Sequence, residues 1–503
     1  MSTRDTGPFP RAVLDALAAA ADRPVFEHGA RLVGGAELLD LVERIAAGLR
    51  GAGVGPGDGV ALLLGVHAEA FATILAAHAV GARVVGVRPG LPDAQVRHLL
   101  GLDIAAVVTD SSGAHASHAI AEPHPAEPSS TANGDTPLML TVEQLCEARA
   151  GSGPLRLGGR AADVARLTHT SGSTGMPKAC AQTYAALTAA WVARPAAWPP
   201  AVRELASRLD RFLVFGTLSS QVVFDYAVLA IAAGGTAVVA DRPALPDAIT
   251  RLRASGCVIT VPRLAKLVAA QRRAPADLST LRALMVSGSP LTPDRHREAL
   301  DVLGPVVFHG YGQTETGMIS MATPDDPPGS VGVPPAAVDV EIRDPAGTPV
   351  PTGVDGELFV RTPAQATSYW ADPERSAEVF VGGWVRTRDL GRFTPTGRLR
   401  LTGRTRDVVI VNANLHHVGP IEQVIAEHPD VAEAYVVAVP DDETGEAVHA
   451  FVVPTADRAP DLAALRDLVT ARLGAACAPA RLTVIAEPPL APSGKPDKRL
   501  LTP

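Results

Sequence analysis

The chain has 503 residues, of which 47% are hydrophobic and 19% charged, a balance that fits folded globular domains and excludes a disordered or collagen-like polypeptide. Its length predicts two or more domains. The 45 Lys and Arg residues against 53 Asp and Glu give a net charge of −8, without the basic footprint of a nucleic-acid binder, so a small-molecule partner is expected.

Aromatic residues are only 4% of the chain, so the core must be filled by Ala, Val and Leu. The N-terminus, Met1 to Pro10, lacks the apolar stretch of a secretory signal. The longest apolar run, Val228 to Ala240, is broken by Gly234 and Gly235 and falls short of the ~20 residues of a membrane helix. It reads as a buried helix, a turn and a strand, and no membrane partner is expected. Cys146, Cys180, Cys257 and Cys477 are widely spaced and form no CxxC pair, which predicts neither a zinc site nor a disulfide and points to a reducing, cytoplasmic compartment.

In chain order, Ala36–Leu49 has helical periodicity, Gly59–Leu64 reads as a strand, Ala68–Val80 as a helix and Ala82–Val87 as a strand, the alternation of a parallel α/β sheet. From Ser111 to Gly159 the composition shifts to Ser, Pro, Ala and His and predicts a solvated loop. His115, His118 and His124 fall in it, with nothing to fix a ligand geometry. The α/β alternation resumes at Leu167, with strands predicted at Phe212–Phe215, Thr236–Val239, Val258–Val261 and Ala283–Val286. Past Val340 the segments VDVEIRD, GELFVRT and GRLRLTG predict a β-rich module, and beyond Gly403 a compact α+β unit follows.

Four motifs carry chemistry. LTHTSGSTGMPKA, Leu167–Ala179, packs hydroxyls and glycines before Lys178, a composition suited to cradling phosphate oxygens, although its spacing is not that of a Walker A loop. HGYGQTETG, His309–Gly317, follows the apolar strand Val306–Phe308 and offers a ring, a hydroxyl and a carboxylate for a base, a phosphate and a divalent cation; a tight turn with a solvated Glu315 fits it equally. GWVRTRDLGRF and LTGRTRDVVIV place Asp389 and Arg404 at turns between strands, where a carboxylate binds a ribose diol or the two simply form a surface ion pair. PLAPSGKPDKRLL, Pro489–Leu501, puts Lys495 on a C-terminal loop that is either a solvated basic tail or one that folds onto another domain.

In this order, across more than 320 residues, the four motifs resemble those of the adenylate-forming superfamily: acyl- and aryl-CoA synthetases, adenylation domains of peptide synthetases, and luciferases. GGTAVVA (Gly234–Ala240), SGSPL (Ser287–Leu291) and SYWADPERSAEVF (Ser368–Phe380) look like further segments of that family.

The resemblance implies a large α/β N-terminal domain, 1–402, with parallel and mixed sheets, flanking helices and a β-rich subdomain, and a small mobile α+β domain, 403–503. It implies that ATP and a small or specialised carboxylic acid form an acyl-AMP with release of pyrophosphate. A thiol, of CoA or of an acyl carrier protein's phosphopantetheine, then displaces AMP, a biosynthetic ligase reaction.

Carried over residue by residue, Thr170, Ser171, Gly172, Ser173, Thr174, Gly175 and Lys178 would line the triphosphate, with Ser289 also on the nucleotide side. Tyr311 would stack on adenine, Thr314 would contact phosphate, Glu315 would hold Mg²⁺, and Asp389 and Arg404 would bind ribose. Lys495 would bridge the carboxylate and the α-phosphate, stabilising the developing charge. Ser219, Asp225, Ser287, Gly288, His309, Gly310 and Gln313 are the candidates for the acid pocket.

The sequence departs from the family pattern on the thioester side. Asn412 and Ala413 replace glycines that line the pantetheine tunnel, Arg388 replaces the glycine of the usual TGD, and Arg406 stands at the hinge, commonly Asp or Lys. GTLSSQ, Gly216–Gln221, replaces the PLFH of many CoA ligases, so that Ser219 stands for the gating His. FDY, Phe224–Tyr226, is similar to the FD with which peptide synthetases bind an amino group, although its spacing to Gly234 is shorter. These departures keep a second expectation open: adenylation with an amine acceptor, or nitrite activation that diazotises an aryl amine.

Overall fold

The computed structural model describes residues 7–111, 136–150, 154–170, 178–241, 243–289, 291–412, 414–455, 460–491 and 495–501. His115, His118 and His124 lie outside them.

Two large sheets face one another across a shared layer of helices. The eight-stranded sheet runs Gly317–Ala322, Val307–Gln313, Ala283–Ser287, Gly256–Thr260, Arg211–Leu213, Thr236–Val239, Pro24–His28 and Arg31–Gly34. Its interior strands are parallel and only the outermost pair at each end is antiparallel. The seven-stranded sheet runs Ser368–Tyr369, Lys178–Thr183, Val164–Thr170, Arg83–Gly86, Gly59–Leu63, Ala106–Thr109 and Leu138–Thr141.

The helices between the sheets are those whose sequences are apolar nearly all round. In Ala68–Val80 every residue except Glu69 is buried, and Gln221–Ala232 is buried along Val223 to Ile231 except at Asp225. Gly35–Gly51 instead buries one stripe, Leu38, Leu41, Val42, Ile45 and Leu49, at the spacing of a single helical face. Phe71 and Phe224, on two of these helices, bring their rings to 5.1 Å. Small Ala and Val side chains let these helices pack closely between the sheets, which explains how so few aromatics suffice.

A third, antiparallel sheet of Asp339–Arg343, Gly356–Arg361, Trp384–Phe393 and Phe380–Val381, with Leu399–Arg404 paired to Trp384–Phe393, forms the β-rich module. A fourth holds Asn414–His417, Val408–Val411, Gly445–Pro454, Val431–Asp441 and Arg481–Val484. It packs Val418–Ala426 and Leu462–Leu473 around its own core of Val409, Ile421, Val452 and Leu465. Sheet membership changes between Arg404 and Val408, in the turn that carries Arg406. Among the described residues no helix is long and apolar enough to cross a membrane.

Three expectations are corrected. The stretch predicted as loop contains the strand Leu138–Thr141, parallel to Ala106–Thr109, and the helix Val142–Cys146 with a Thr141–Gln144 capping box. Averaging composition over the Ser- and Pro-rich stretch hid an apolar LML run. The strand after Leu303 does not stop at Phe308 but continues to Gln313 through the motif. Asp389 sits inside a paired strand rather than at a turn, opposite Arg404, which ends its own strand at the turn as expected, because the Trp384–Phe393 and Leu399–Arg404 segments hydrogen-bond to one another.

Candidate active site

Asp389 and Arg404 are register partners across the two antiparallel strands, and the Arg404 Nε donates to Asp389 Oδ1 at 2.9 Å. Oδ2 accepts from the Tyr311 hydroxyl at 2.8 Å and from the Gln313 amide nitrogen at 2.6 Å. Tyr311 and Gln313 reach it together because residues two apart on a strand share a face. Burial and then the Asp389 carboxylate push the Tyr311 hydroxyl well above its usual range, so it stays a donor. Asp389 in turn raises Arg404. Gln313 was expected in the acid pocket. The structure corrects this, because its amide also donates to the Thr387 carbonyl at 2.9 Å and so steadies Asp389.

The next turn carries a second cluster. The Tyr369 hydroxyl donates to Glu315 Oε1 at 2.6 Å, and the Lys178 ammonium lies 5.0 Å from the Tyr369 ring centroid. Burial lowers Lys178, and the neighbouring charges of Arg375, Arg388 and Arg406 lower it further. Four cations thus converge where the sequence predicts a polyphosphate. Thr314 lies half-buried between Gln313 and Glu315. The strand end at Thr170 leads toward this cluster, while Ser171, Gly172, Ser173, Thr174 and Gly175 lie outside the described residues.

A divalent cation fits Glu315. One carboxylate oxygen is held by Tyr369, and no group of three acidic, His or Cys side chains able to hold a metal occurs among the described residues. That donor set suits Mg²⁺, which keeps several waters and takes its remaining ligands from phosphate oxygens.

Lys495 reaches the same cleft from the C-terminal segment. The Lys495 carbonyl accepts from Ala491 N at 2.8 Å, and Leu490 pairs with Pro496, so backbone pairing holds Lys495 in place rather than leaving it on a solvated tail. Its alkyl chain lies on Gly288: a Cβ there would stand 3.2 Å from Lys495 Cε. Burial and then Arg404 lower the Lys495 ammonium, against the opposing pull of Glu315. Ser287 ends the strand Ala283–Ser287, and Ser289 follows Gly288 in the turn, both half-buried.

Between the two large sheets, Gly310 faces Met285, and a Cβ at Gly310 would come to 2.3 Å from Met285 Cε. Trp191 and Tyr226 meet edge to face at 6.3 Å, and the Tyr226 hydroxyl lies 4.0 Å from the Met318 sulfur. Ser219 closes this region, its Oγ donating to the Val87 carbonyl at 3.3 Å. His309 was expected to join it. Strand alternation turns its ring to the opposite face, where Nδ1 bonds the Ser330 carbonyl at 3.0 Å and the ring lies 6.0 Å from His296. Burial lowers His309 to about 4, which leaves a neutral ring there.

Asp225 faces the sheet interface but is engaged: Arg166 Nη1 lies 3.7 Å from its Oδ1, and the same guanidinium donates to Gln182 Oε1 at 3.2 and 3.0 Å. Burial pushes the Asp225 carboxyl up, and Arg166 pulls it back. Arg166, Tyr369 and Arg88 were not singled out in the sequence. Tyr369 lies within a segment quoted as family-like, whereas the two arginines gave no local signal.

Two departures from the family pattern have a structural expression. Arg388 and Asn412 both keep a left-handed backbone, with φ of 61° and 51°, so the glycine-like conformation persists while side chains occupy it. Arg388 and Arg406 share Glu378, with Arg388 Nη2 at 2.5 Å and Arg406 Nη2 at 3.3 Å from Oε2. Ala413 lies outside the described residues.

The profile of the AMP-binding enzymes matches residues 14–370, and that of the AMP-binding enzyme C-terminal domain matches 420–495. A feruloyl-CoA synthase from Amycolatopsis is 33% identical over 438 residues, covering 85% of this chain and 84% of the relative. A fatty acid–[acyl-carrier-protein] ligase, ScoC, from Streptomyces coeruleorubidus is 31% identical over 474 residues, covering 90% and 88%. Among solved structures, the amide bond synthetase McbA from Marinactinospora thermotolerans superposes with a TM-score of 0.85 at 34% identity, covering 97% of this chain and 98% of that one. With sheets, cleft and motifs in agreement, the chain belongs to the AMP-binding enzyme family and is an AMP-forming acid ligase.

Proposed function

We propose that this enzyme adenylates a small carboxylic acid and transfers the acyl group to a thiol, of CoA or of a carrier protein. The observation that carries the reading is the convergence of Lys495, Asp389 with its donors, and the Glu315–Lys178 cluster on one cleft. A carboxylate oxygen attacks the α-phosphorus of ATP, the bond to the bridging oxygen breaks, and pyrophosphate leaves. Lys495 stabilises charge on the carboxylate and α-phosphate as the new bond forms. Asp389 accepts the ribose hydroxyls, and Tyr311, Gln313 and Arg404 hold its two oxygens in place. Lys178, Arg375, Arg388 and Arg406 attract the departing pyrophosphate. Glu315 would hold Mg²⁺, which neutralises phosphate charge. The acid lies between the sheets, near Ser219, Ser287, Gly288 and Gly310, with Tyr226, Met285 and Met318 supplying apolar walls.

The thiol then attacks the acyl carbon and AMP leaves, after the C-terminal domain turns about Arg406. The names of the relatives, a CoA synthase and a carrier-protein ligase, support that acceptor.

An amine acceptor is the second reading. The side chains of Arg388 and Asn412 on left-handed backbone, where the family's pattern carries glycine, and the 34% identity to an amide bond synthetase both favour it.

Pyrophosphate release is measured with Mg-ATP and a panel of aliphatic, aromatic and amino acids, with CoA, with an amine, or with neither. Acid-dependent release that Lys495→Ala abolishes supports adenylation, and absence of release with every acid overturns it. An acyl-CoA product supports the thiol reading, whereas an amide formed without CoA supports the second.

A further inference from the structure

Arg88 follows the strand Arg83–Gly86 at the carboxyl end of the seven-stranded sheet and is half-buried. Arg388 and Arg404 in the cleft each have an acidic partner, as has Arg166 at the sheet interface. Arg88 has none among the described residues, and it makes no hydrogen bond there.

Its backbone lies beside Ser219, a residue of the acid pocket in the reading above. The carbonyl of the preceding Val87 accepts from Ser219 Oγ at 3.3 Å, and Gly86 packs so closely that a Cβ on it would lie 3.2 Å from Ser219 Cβ. On its other side, the Arg88 charge adds to burial in lowering both Lys495 and His169. His169, in the strand Val164–Thr170, buries both ring nitrogens without a hydrogen-bond partner among the described residues.

A guanidinium withdrawn from water without a counter-ion is costly, and the cost is recovered when a ligand supplies the anion. The other anions of the proposed reaction are already provided for. The carboxylate under activation belongs to Lys495, and the phosphates belong to the cations around Lys178. Arg88 is left for a further group, and its planar fork matches a carboxylate.

We propose that Arg88 forms a recognition site for a second carboxylate, one carried by a reactant in addition to the carboxyl group being activated. This rests on the adenylation reading above. The second carboxylate belongs either to a dicarboxylic acid substrate or to a carboxylate-bearing acceptor such as an amino acid, and the experiment separates the two.

In the first arm, kcat/KM for pyrophosphate release is compared between dicarboxylic acids and monocarboxylic acids of the same chain length. In the second, product formation from one accepted acid is compared between amino acids and the matching neutral amines. Each is run with the wild type, Arg88→Met and Arg88→Lys, with thermal unfolding of each variant as a check on folding.

The expected result is a wild-type preference for the charged member in one arm, reduced about 10- to 100-fold by Arg88→Met and partly retained by Arg88→Lys. A wild type with no such preference in either arm overturns the proposal, as does an Arg88→Met that slows charged and neutral reactants by one common factor. If the Met variant does not fold, the Lys variant decides: weakened discrimination in a folded lysine variant is support, and unchanged discrimination, or an equal loss of turnover with every reactant, is refutation. Absence of pyrophosphate release from the wild type with every acid would overturn adenylation itself, a result distinct from release without discrimination.

Discussion

The side chain of Lys495 crosses the bare backbone of Gly288, whose φ of 99° lies in the left-handed region and whose missing Cβ would stand 3.2 Å from Lys495 Cε. Gly288→Ala therefore meets both a strained backbone and a displaced lysine. The expected outcome is a fall in the rate of acid-dependent pyrophosphate release of about tenfold or more, from ~1–2 kcal/mol of strain together with lost alignment. Gly304→Ala, at a φ of 79° with nothing within 4 Å, is the control for strain alone and should leave the rate near wild type.

Tyr311→Phe deletes one of three side-chain donors to Asp389 while leaving the ring in place. A hydrogen bond to a charged group contributes about 1.5–3 kcal/mol. The KM for ATP should rise by about tenfold with a smaller change in kcat, which steady-state kinetics at saturating acid will read. A change confined to kcat would place Tyr311 in the chemical step instead.

Tyr369→Phe removes the hydroxyl that fixes Glu315 Oε1 and keeps the ring beneath Lys178. A carboxylate free to rotate should hold a cation less well. The Mg²⁺ concentration for half-maximal pyrophosphate release is expected to rise several-fold, and excess Mg²⁺ should restore the rate.

Arg166→Met leaves Asp225 in the sheet interface without its counter-charge. Loss of one partner from such a pair costs about 3–5 kcal/mol, whereas removing both is much cheaper. Denaturant unfolding should show a marked loss for the single variant and a recovery in Arg166→Met with Asp225→Leu. No recovery would mean that Arg166 acts through Gln182 rather than Asp225.

His67 precedes the helix Ala68–Val80 and, protonated, donates to Asp110 from Nε2 at 2.7 Å and to Glu69 from Nδ1 at 3.1 Å. Burial alone would lower it, but the two carboxylates together raise it to about 9, and Glu69 falls to about 2. Because the folded value of His67 exceeds the ordinary 6.5, its contribution is full below that pH and is lost as pH rises through about 9. His67→Ala should lower Tm by about 1–3 °C at pH 6, and the gap from wild type should close above pH 9. A gap that persists at high pH would assign the effect to packing.

The sequence determined by itself what depends on near neighbours along the chain. The period of apolar residues placed Gly35–Gly51, Ala68–Val80 and the parallel strands, and short motifs such as HGYGQTETG and SGKPDK marked chemistry because their residue types sit side by side. Tertiary structure decided what depends on contacts distant in sequence. Asp389 reads as a turn residue until its strand is paired with Leu399–Arg404, and Tyr369 has no role until strand pairing of Ser368–Tyr369 with Lys178–Thr183 brings it to Glu315 and Lys178. Gln313 and His309 went to the wrong neighbours for a related reason: a one-residue step along a strand reverses the face a side chain presents, and the strand proved five residues longer than its apolar run implied. Arg88 and Arg166 left no local mark, because a charge acquires meaning from burial and from the partner it has or lacks, and both are properties of the folded chain.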